Sequence, residues 1–201
     1  MPDPNDTLAH TRALQAQGLG RAAVARLATY LDVLAEWDRR VNLTGARAPE
    51  ERVSLLVEPV LPVVGLVPAG TLIDVGSGNG SPGLVLALLR DDLEVTLLEP
   101  RARRWAFLRE ACRRAGRRVS VVRARHDAYP GPPARTVTLR ALSLPLEQLA
   151  PLVAPGGRLI VMGARPALAA PFEEEEPGPE RTRAAGIWQF RRPAVPRDTR
   201  Q

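Results

Sequence analysis

A glycine-rich run carries the clearest chemical signal of the chain: Asp74-Val75-Gly76-Ser77-Gly78-Asn79-Gly80-Ser81-Pro82-Gly83. Apolar residues precede it at 71–73 and follow it at 84–89, which predicts a strand, a turn and a helix in which Ser81 is the N-cap. Glycine permits positive φ angles and lets a ligand approach the main chain without a Cβ atom in the way. Because the helix start also offers free N–H groups, the run predicts a site for a nucleotide-like cofactor. The alternative is a glycine-rich connection that binds nothing.

Two classes of cofactor fit this turn. Gly78, Gly80 and Gly83 have the spacing of a dinucleotide fingerprint, and Glu99 lies at a suitable distance to bind a ribose. However, Asp74 immediately precedes the turn, where a carboxylate pairs with an ammonium group and repels a pyrophosphate. Only one nucleotide-binding half is evident, whereas dinucleotide folds use two. These features favour S-adenosylmethionine (SAM), although Asp74 could instead cap the turn.

Polar residues follow two further predicted strands. Glu99 ends the second strand, where its two oxygens can accept both ribose hydroxyls of a cofactor. The alternative for Glu99 is an ion pair with Arg103 or Arg104. His126 and Asp127 follow the third strand, so they can flank an adenine ring or form a solvated pair in a loop.

The periodicity of apolar residues predicts the elements that position these groups. Helical spacing predicts three helices near the N-terminus, at 7–17, 20–41 and 49–57. Short β-rich runs follow at 71–75, 94–99, 118–123, 136–139, 158–162 and 187–190. Helical stretches lie between them at 82–89, 101–115 and 144–152. This alternation predicts an α/β fold, with a mainly parallel sheet, helices on both faces and an N-terminal helical extension.

The same pattern predicts three regions. We expect a helical extension over residues 1–65, a SAM-binding domain over 66–192 and a flexible tail over 193–201. A proline-rich stretch with four consecutive glutamates predicts an exposed loop over 164–179.

Composition excludes several classes of protein. Cys112 is the only cysteine, and His10 and His126 are far apart in sequence, so we expect neither a disulfide nor a metal site. The first residues do not resemble a signal peptide, and no apolar run approaches the roughly 20 residues needed to span a bilayer. These features predict a cytoplasmic protein without a membrane partner.

The charge of the chain indicates an anionic partner. The formal net charge is +6, and all 28 basic residues are arginine, which binds phosphate in a bidentate manner. RNA is one such partner, and arginines 113, 114, 117 and 118 are candidates to follow its backbone. The alternative is that the use of arginine reflects genome composition.

Three segments together support a family resemblance. They are Trp37-Asp38-Arg39-Arg40-Val41-Asn42-Leu43-Thr44, the glycine-rich run, and Leu97-Leu98-Glu99 with Arg103-Arg104-x-x-Phe107-Leu108. They resemble the RsmG (GidB) family, SAM-dependent methyltransferases that modify N7 of a guanine in bacterial small-subunit ribosomal RNA. The resemblance covers roughly residues 24 to 163.

The resemblance implies a Rossmann-like SAM-dependent methyltransferase fold and a set of site residues. Gly76, Gly78, Gly80 and Ser81 would form the SAM cradle, Glu99 would hold the ribose, and His126 with Asp127 would flank the adenine. Arg140 would lie beside cofactor and substrate as the catalytic candidate, and Asp74 completes the predicted cofactor set. The implied partner is ribosomal RNA or the small ribosomal subunit, and we expect a monomer.

The chain also departs from the family pattern. The departures are Leu55-Leu56, Leu139 and Gly163, and they fall mainly on the side that would face RNA. Two other functions therefore stay open: a methyltransferase of the same fold with another acceptor, and a non-catalytic RNA-binding relative.

Overall fold

The computed structural model describes residues 4–175 and 186–194, and this part of the chain is built around a seven-stranded sheet. The strands are β1 (Gly70–Val75), β2 (Leu93–Leu98), β3 (Ser120–Val122), β4 (Ala134–Arg140), β5 (Val153–Met162), β6 (Glu173–Glu174) and β7 (Ile187–Arg191). The six strands expected from the sequence are confirmed, and β6 is an addition.

The strand order is β3-β2-β1-β4-β5-β7-β6. β1 to β5 are parallel to their neighbours, whereas β7 runs antiparallel to β5 and pairs with the short edge strand β6. The chain moves from β1 outward to β3 and then returns to the other side of β1. Ligands of such sheets bind at the carboxyl ends of the strands where the order reverses, which here is between β1 and β4.

Five α-helices belong to the described residues: α1 (Pro4–Ala16), α2 (Arg21–Val41), α3 (Pro49–Leu56), α4 (Gly83–Leu89) and α5 (Ala102–Arg114). Three 3-10 helices accompany them, at Glu58–Val63, His126–Ala128 and Leu146–Leu152. The α-helix expected over 144–152 is therefore wrong. Pro145 precedes this segment and Pro151 lies inside it, and proline has no N–H to donate to a helical ladder.

Helical segments flank the two faces of the sheet unequally. All five α-helices share one buried cluster, in which Leu31 of α2, Leu86 of α4 and Phe107 of α5 pack over Leu72 and Val95 of the sheet. The other face is covered by the 3-10 helix Leu146–Leu152 and by loop residues. The division at residue 65 stays a prediction, since the N-terminal helices bury their apolar side chains in the same core. None of the helices in the described residues is long and apolar enough to cross a membrane.

The segment expected as an exposed loop is partly built into the fold. Phe172 is 4% exposed in the second core cluster, and Glu174 of β6 pairs with Phe190 of β7. The exposed-loop prediction is therefore wrong for residues 172–174. Residues 176–179 of that loop, and residues 195–201 of the expected tail, lie outside the described residues.

A buried polar network joins α1 to α2. His10 is fully buried, and its Nδ1 lies 2.7 Å from Oδ1 of Asp32. The hydroxyl of Thr7 donates to the other oxygen of Asp32 at 2.7 Å. Because a buried polar group without a partner is destabilising, these groups favour one position of α1 on α2.

We expect Asp32→Ala to lower the free energy of unfolding by about 2 to 4 kcal/mol, because it removes the acceptor that His10 and Thr7 share in a buried position. Urea denaturation followed by circular dichroism measures this change. Asp91→Ala is the matched control, since Asp91 is exposed and pairs only at the surface with Arg26 and Arg117. The control should change stability by less than about 1 kcal/mol, and equal effects of the two substitutions would contradict the prediction.

Candidate cofactor site

The loop after β1 depends on glycine at defined positions. Gly76 has a φ of 70°, and a Cβ atom on it would lie 2.9 Å from Cδ2 of Leu142. Gly80 has a φ of 99°, and a Cβ there would lie 3.2 Å from the ring of Tyr30. A side chain at either position is therefore opposed by both backbone conformation and packing.

Hydrogen bonds fix this loop to the N-terminal helices. The Tyr30 hydroxyl, on α2, donates to the carbonyl oxygen of Asn79 at 2.8 Å. The Asn79 amide donates to the carbonyl oxygen of Leu43 at 3.2 Å, and its Oδ1 accepts from the Ser81 N–H at 3.2 Å. The glycine loop is thus held by Tyr30 of α2 and by Leu43, which follows α2.

The segment around Asn42 forms a turn that closes one wall of the site. Asn42 ends α2 in the left-handed region with a φ of 42°, a conformation that asparagine tolerates. The Asp38 carboxylate then accepts from the N–H groups of Leu43 at 2.5 Å and Thr44 at 2.9 Å. These bonds give the Asp-x-x-x-Asn-Leu-Thr pattern a local structural reason.

Glu99 connects the loops that follow β1 and β2. Its side chain is buried, with 3% of the residue exposed. Oε2 accepts from the Gly78 N–H at 3.0 Å, and Oε1 accepts from the Arg101 N–H at 2.8 Å. Neither Arg103 nor Arg104 forms an ion pair with Glu99, so the alternative role considered from the sequence does not apply in the described residues.

A cavity of about 690 Å³ opens at the carboxyl ends of β1, β2 and β4, within the size range of small-molecule sites. Six of the predicted site residues line it: Gly76, Gly78, Ser81, Glu99, His126 and Arg140. The remaining three, Asp74, Gly80 and Asp127, do not line it. Topology therefore brings together residues from four separate loops of the sequence.

Asp74 lies beneath the glycine loop. It is 1% exposed, and its Oδ1 accepts from the Thr138 hydroxyl of β4 at 2.6 Å, while Oδ2 has no hydrogen-bond partner. Burial raises the pKa of this carboxyl to about 6, although the hydrogen bond from Thr138 opposes that shift. The carboxyl thereby joins β1 to β4, and its pairing with a cofactor ammonium group stays a prediction.

Ser81 and Arg140 form a bridge across the cavity. The Ser81 hydroxyl donates to the carbonyl oxygen of Leu56 at 2.7 Å and accepts from Nη1 of Arg140 at 2.6 Å. Nη2 of Arg140 donates to the carbonyl oxygen of Leu55 at 2.7 Å. The N-cap expected at Ser81 is wrong, because α4 begins two residues later at Gly83 and the hydroxyl bonds elsewhere.

His126 and Asp127 differ in position although they are neighbours. His126 is 9% exposed, lines the cavity and has Nε2 3.2 Å from Oε1 of Gln148. Asp127 is exposed and forms a surface ion pair with Arg125, which lowers the pKa of its carboxyl. A contact with adenine from this segment is therefore a prediction that the geometry favours for His126.

Some residues of the cavity were not singled out as site residues from the sequence. Leu55 and Leu142 are 44% and 42% exposed at its mouth, and Arg101 and Arg104 lie on its rim. Ala141, with a φ of 52°, turns the chain after β4 so that Leu142 packs against the glycine loop. The only sequence signal for Leu142 is its place just after a strand end.

The arginines selected from the sequence to follow RNA are mostly occupied. Arg113 and Arg114 form ion pairs with glutamates, and Arg117 donates to main-chain carbonyl oxygens. Of that group, Arg118 is free of a partner in the described residues. Arg113, Arg114 and Arg117 therefore have few donors left to bind the phosphates of an anionic partner.

Comparison with known proteins assigns the family. The family model described as rRNA small subunit methyltransferase G (GidB) matches residues 23–174. The chain is 38% identical over 162 residues to the "Ribosomal RNA small subunit methyltransferase G" of Xanthomonas euvesicatoria, covering 80% of this chain and 74% of that protein. The protein of the same name from Halorhodospira halophila is 40% identical over 149 residues, covering 72% of this chain and 71% of that protein. The chain belongs to the rRNA small subunit methyltransferase G family.

Family membership makes the chain a SAM-dependent methyltransferase. A solved SAM-dependent methyltransferase from Aquifex aeolicus shares the fold with a TM-score of 0.54 and 16% identity, covering 79% of this chain and 96% of that one. The expected Rossmann-like methyltransferase fold is thereby confirmed.

The residues present fit SAM. The main chain at Gly78 lines the cavity, where a Cβ atom would meet nothing closer than 3.5 Å, and the buried Glu99 carboxylate lines the same space. The described residues include no group of three His, Cys, Asp or Glu side chains that could hold a metal ion.

The raised pKa of Asp74 predicts a pH dependence of stability. Between about pH 4 and pH 6 the folded chain binds more protons at this carboxyl than the unfolded chain does. The stability that Asp74 contributes is therefore full below about pH 4 and is lost as the pH rises through 6. From pH 4 to pH 7.5, we expect the wild type to lose about 2 to 3 kcal/mol relative to Asp74→Asn. Chemical denaturation at each pH measures the difference.

Asp127→Asn is the control for this experiment. Its exposed carboxyl has a lowered pKa, so its difference from the wild type should move weakly in the opposite direction. A wild-type minus Asp74→Asn difference that stays flat with pH would show that Asp74 titrates normally.

Proposed function

We propose that this chain transfers a methyl group from SAM to N7 of a guanine in small-subunit ribosomal RNA. The proposal rests on one observation of the structure: the glycine loop, Glu99 and Arg140 line the same cavity. The chain also belongs to a family of rRNA methyltransferases.

The cofactor would lie along the carboxyl ends of β1 and β2. The main chain at Gly78 would border the cofactor, and Glu99 accepts the ribose hydroxyls with the lone pairs that its backbone bonds leave free. His126 borders the position of the adenine. When bound, SAM supplies an electrophilic methyl group attached to a sulfonium sulfur.

The acceptor chemistry asks little of the protein beyond alignment. N7 of guanine carries a free lone pair, so no proton has to leave before the methyl group is transferred. The site therefore needs no general base, and the catalytic contribution is orientation and exclusion of water. Arg140 is suited to orient the base through its O6 atom, or the adjacent phosphate, because guanidinium offers five N–H donors and two are in use.

Two exposed leucines give the base an apolar contact. Leu55 and Leu142 line the cavity mouth on the elements that flank Arg140. Exposed leucines that share a cavity are more informative than scattered ones, since they favour binding of a flat apolar surface. We assign both leucines to apolar contact with the acceptor base.

Glu99→Gln tests the proposed ribose contact. The amide nitrogen cannot accept a hydrogen bond, so we expect the affinity for SAM to fall about tenfold or more. Isothermal calorimetry with SAM measures the dissociation constant. Glu94→Gln is the matched control, because Glu94 is an exposed residue of β2, the strand that Glu99 directly follows. Unchanged affinity for SAM in Glu99→Gln would show that Glu99 does not bind the ribose.

The function itself is tested by methylation of RNA. Purified chain, SAM with a labelled methyl group, and ribosomal RNA from a strain lacking this activity should yield 7-methylguanosine in the small-subunit RNA. Digestion to nucleosides with mass spectrometry identifies the product, and cleavage at 7-methylguanosine locates it. A different methylated nucleoside would favour another acceptor, and SAM binding without methylation would favour a non-catalytic relative.

In the same assay we expect Arg140→Ala to lower the rate at saturating SAM by about 100-fold, the usual effect of removing one positioned donor. Arg135→Ala is the control, because Arg135 lies at the opposite end of β4 and donates to the carbonyl oxygen of Ala69. Equal rates for the two variants would remove Arg140 from the reaction.

A further inference from the structure

A second cavity lies on the far side of the first turn of α5. It has a volume of about 530 Å³ and is lined by Glu36, Trp37, Arg39, Arg40, Val41 and Arg103. We call it the arginine groove. None of its residues lines the cavity of about 690 Å³ at the candidate cofactor site, which we call the cofactor cavity. The groove is therefore a separate feature of the surface.

The groove forms between α2 and α5, which run antiparallel to each other. Glu36 of α2 pairs with Arg114 at the end of α5, and Trp37 packs edge-on against Phe107 with ring centroids 6.2 Å apart. The last turn of α2 therefore meets the first turn of α5, where Arg103 lies. The partial positive charge at the start of α5 is offset by the partial negative charge at the end of α2, so the positive charge of the groove comes from its arginines.

The arginines of the groove have no protein partner. Arg39, Arg40 and Arg103 are exposed, and none of them forms an ion pair or hydrogen bond through its side chain in the described residues. Elsewhere on these helices Arg26 pairs with Asp91 and Arg113 with Glu110. The guanidinium groups of the groove are thus available for an external anion.

The acid of the groove does not cancel this charge. Glu36 is the one carboxylate that lines it, and Oε2 of Glu36 is 2.8 Å from Nη1 of Arg114. That ion pair balances the charge of the carboxylate within the protein, while its Oε1 is buried without a hydrogen-bond partner. The groove therefore presents three free positive charges beside an apolar wall made by Trp37 and Val41.

Two further arginines extend this surface to the cofactor cavity. Arg101 and Arg104 line that cavity. Arg101 directly precedes α5, and Arg104 follows Arg103 in its first turn. Nη1 of Arg104 would lie 3.7 Å from a Cβ atom on Gly78, so its side chain reaches the glycine loop. Arginines therefore lie both beside the glycine loop and at the last turn of α2, with the start of α5 between the two cavities.

The geometry points to the arginine groove as the binding site for the phosphate backbone of the RNA strand that flanks the acceptor nucleotide. Arg39, Arg40 and Arg103 bind phosphates, and the apolar wall contacts a ribose or base of the same strand. The inference rests on the proposed function for the nature of the RNA, and it adds where that RNA lies.

The test compares two triple variants of the full chain that carry the same change of charge. One is Arg39→Gln, Arg40→Gln, Arg103→Gln. The control is Arg12→Gln, Arg21→Gln, Arg191→Gln, which are also exposed arginines without a side-chain partner among the described residues, and none of them lines either cavity. Binding of a fluorescein-labelled transcript of the small-subunit RNA is measured by anisotropy from 50 to 300 mM salt, and SAM binding by calorimetry.

We expect the groove variant to lose about tenfold or more in RNA affinity and to reduce the slope of log affinity against log salt by about two units. The control variant should lose much less, and both should bind SAM like the wild type, which shows that they are folded. Equal RNA affinity and salt dependence in the two triple variants would overturn the inference. Because this readout is binding, it stays distinct from a failure to form 7-methylguanosine, which would overturn the proposed function instead.

Discussion

The shape of the cofactor cavity depends on the buried carboxylate of Glu99. It accepts N–H groups from two loops at once, Gly78 after β1 and Arg101 after β2. Both loops leave neighbouring parallel strands, so a single acceptor at that edge fixes their separation. A carboxylate is well suited to this position, because its two oxygens provide four acceptor sites and the two backbone bonds leave others for a ligand.

A second set of bonds makes the N-terminal helices part of the site. Tyr30 and Leu43 hold Asn79 in the glycine loop from one side, and the carbonyl oxygens of Leu55 and Leu56 hold Arg140 and Ser81 from another. The helical region that precedes the sheet therefore forms one wall of the cavity. Their packing against α4 and α5 in one core couples the stability of the chain to the geometry of the site.

The sequence predicted the features that are local. The glycine run and Glu99 follow strands whose apolar pattern is clear, so their place at one edge of the sheet could be inferred from topology. The N-cap predicted at Ser81 is wrong because its hydroxyl bonds to Leu56 and Arg140, and such contacts between residues far apart in the chain leave no local pattern in the sequence. Which arginines are paired could not be predicted from the sequence for the same reason. Arg114, for example, pairs with Glu36, which lies 78 positions away in the chain.

The groove between α2 and α5 is basic through arginine alone, as is the whole chain, which contains no lysine. The planar guanidinium group binds phosphate through two parallel N–H donors, which the ammonium group of lysine cannot do. It also offers no side-chain amine to acetyl or acyl donors, which act on lysine. Affinity for a polyanion is therefore set by ionic strength and is not open to adjustment by lysine acylation.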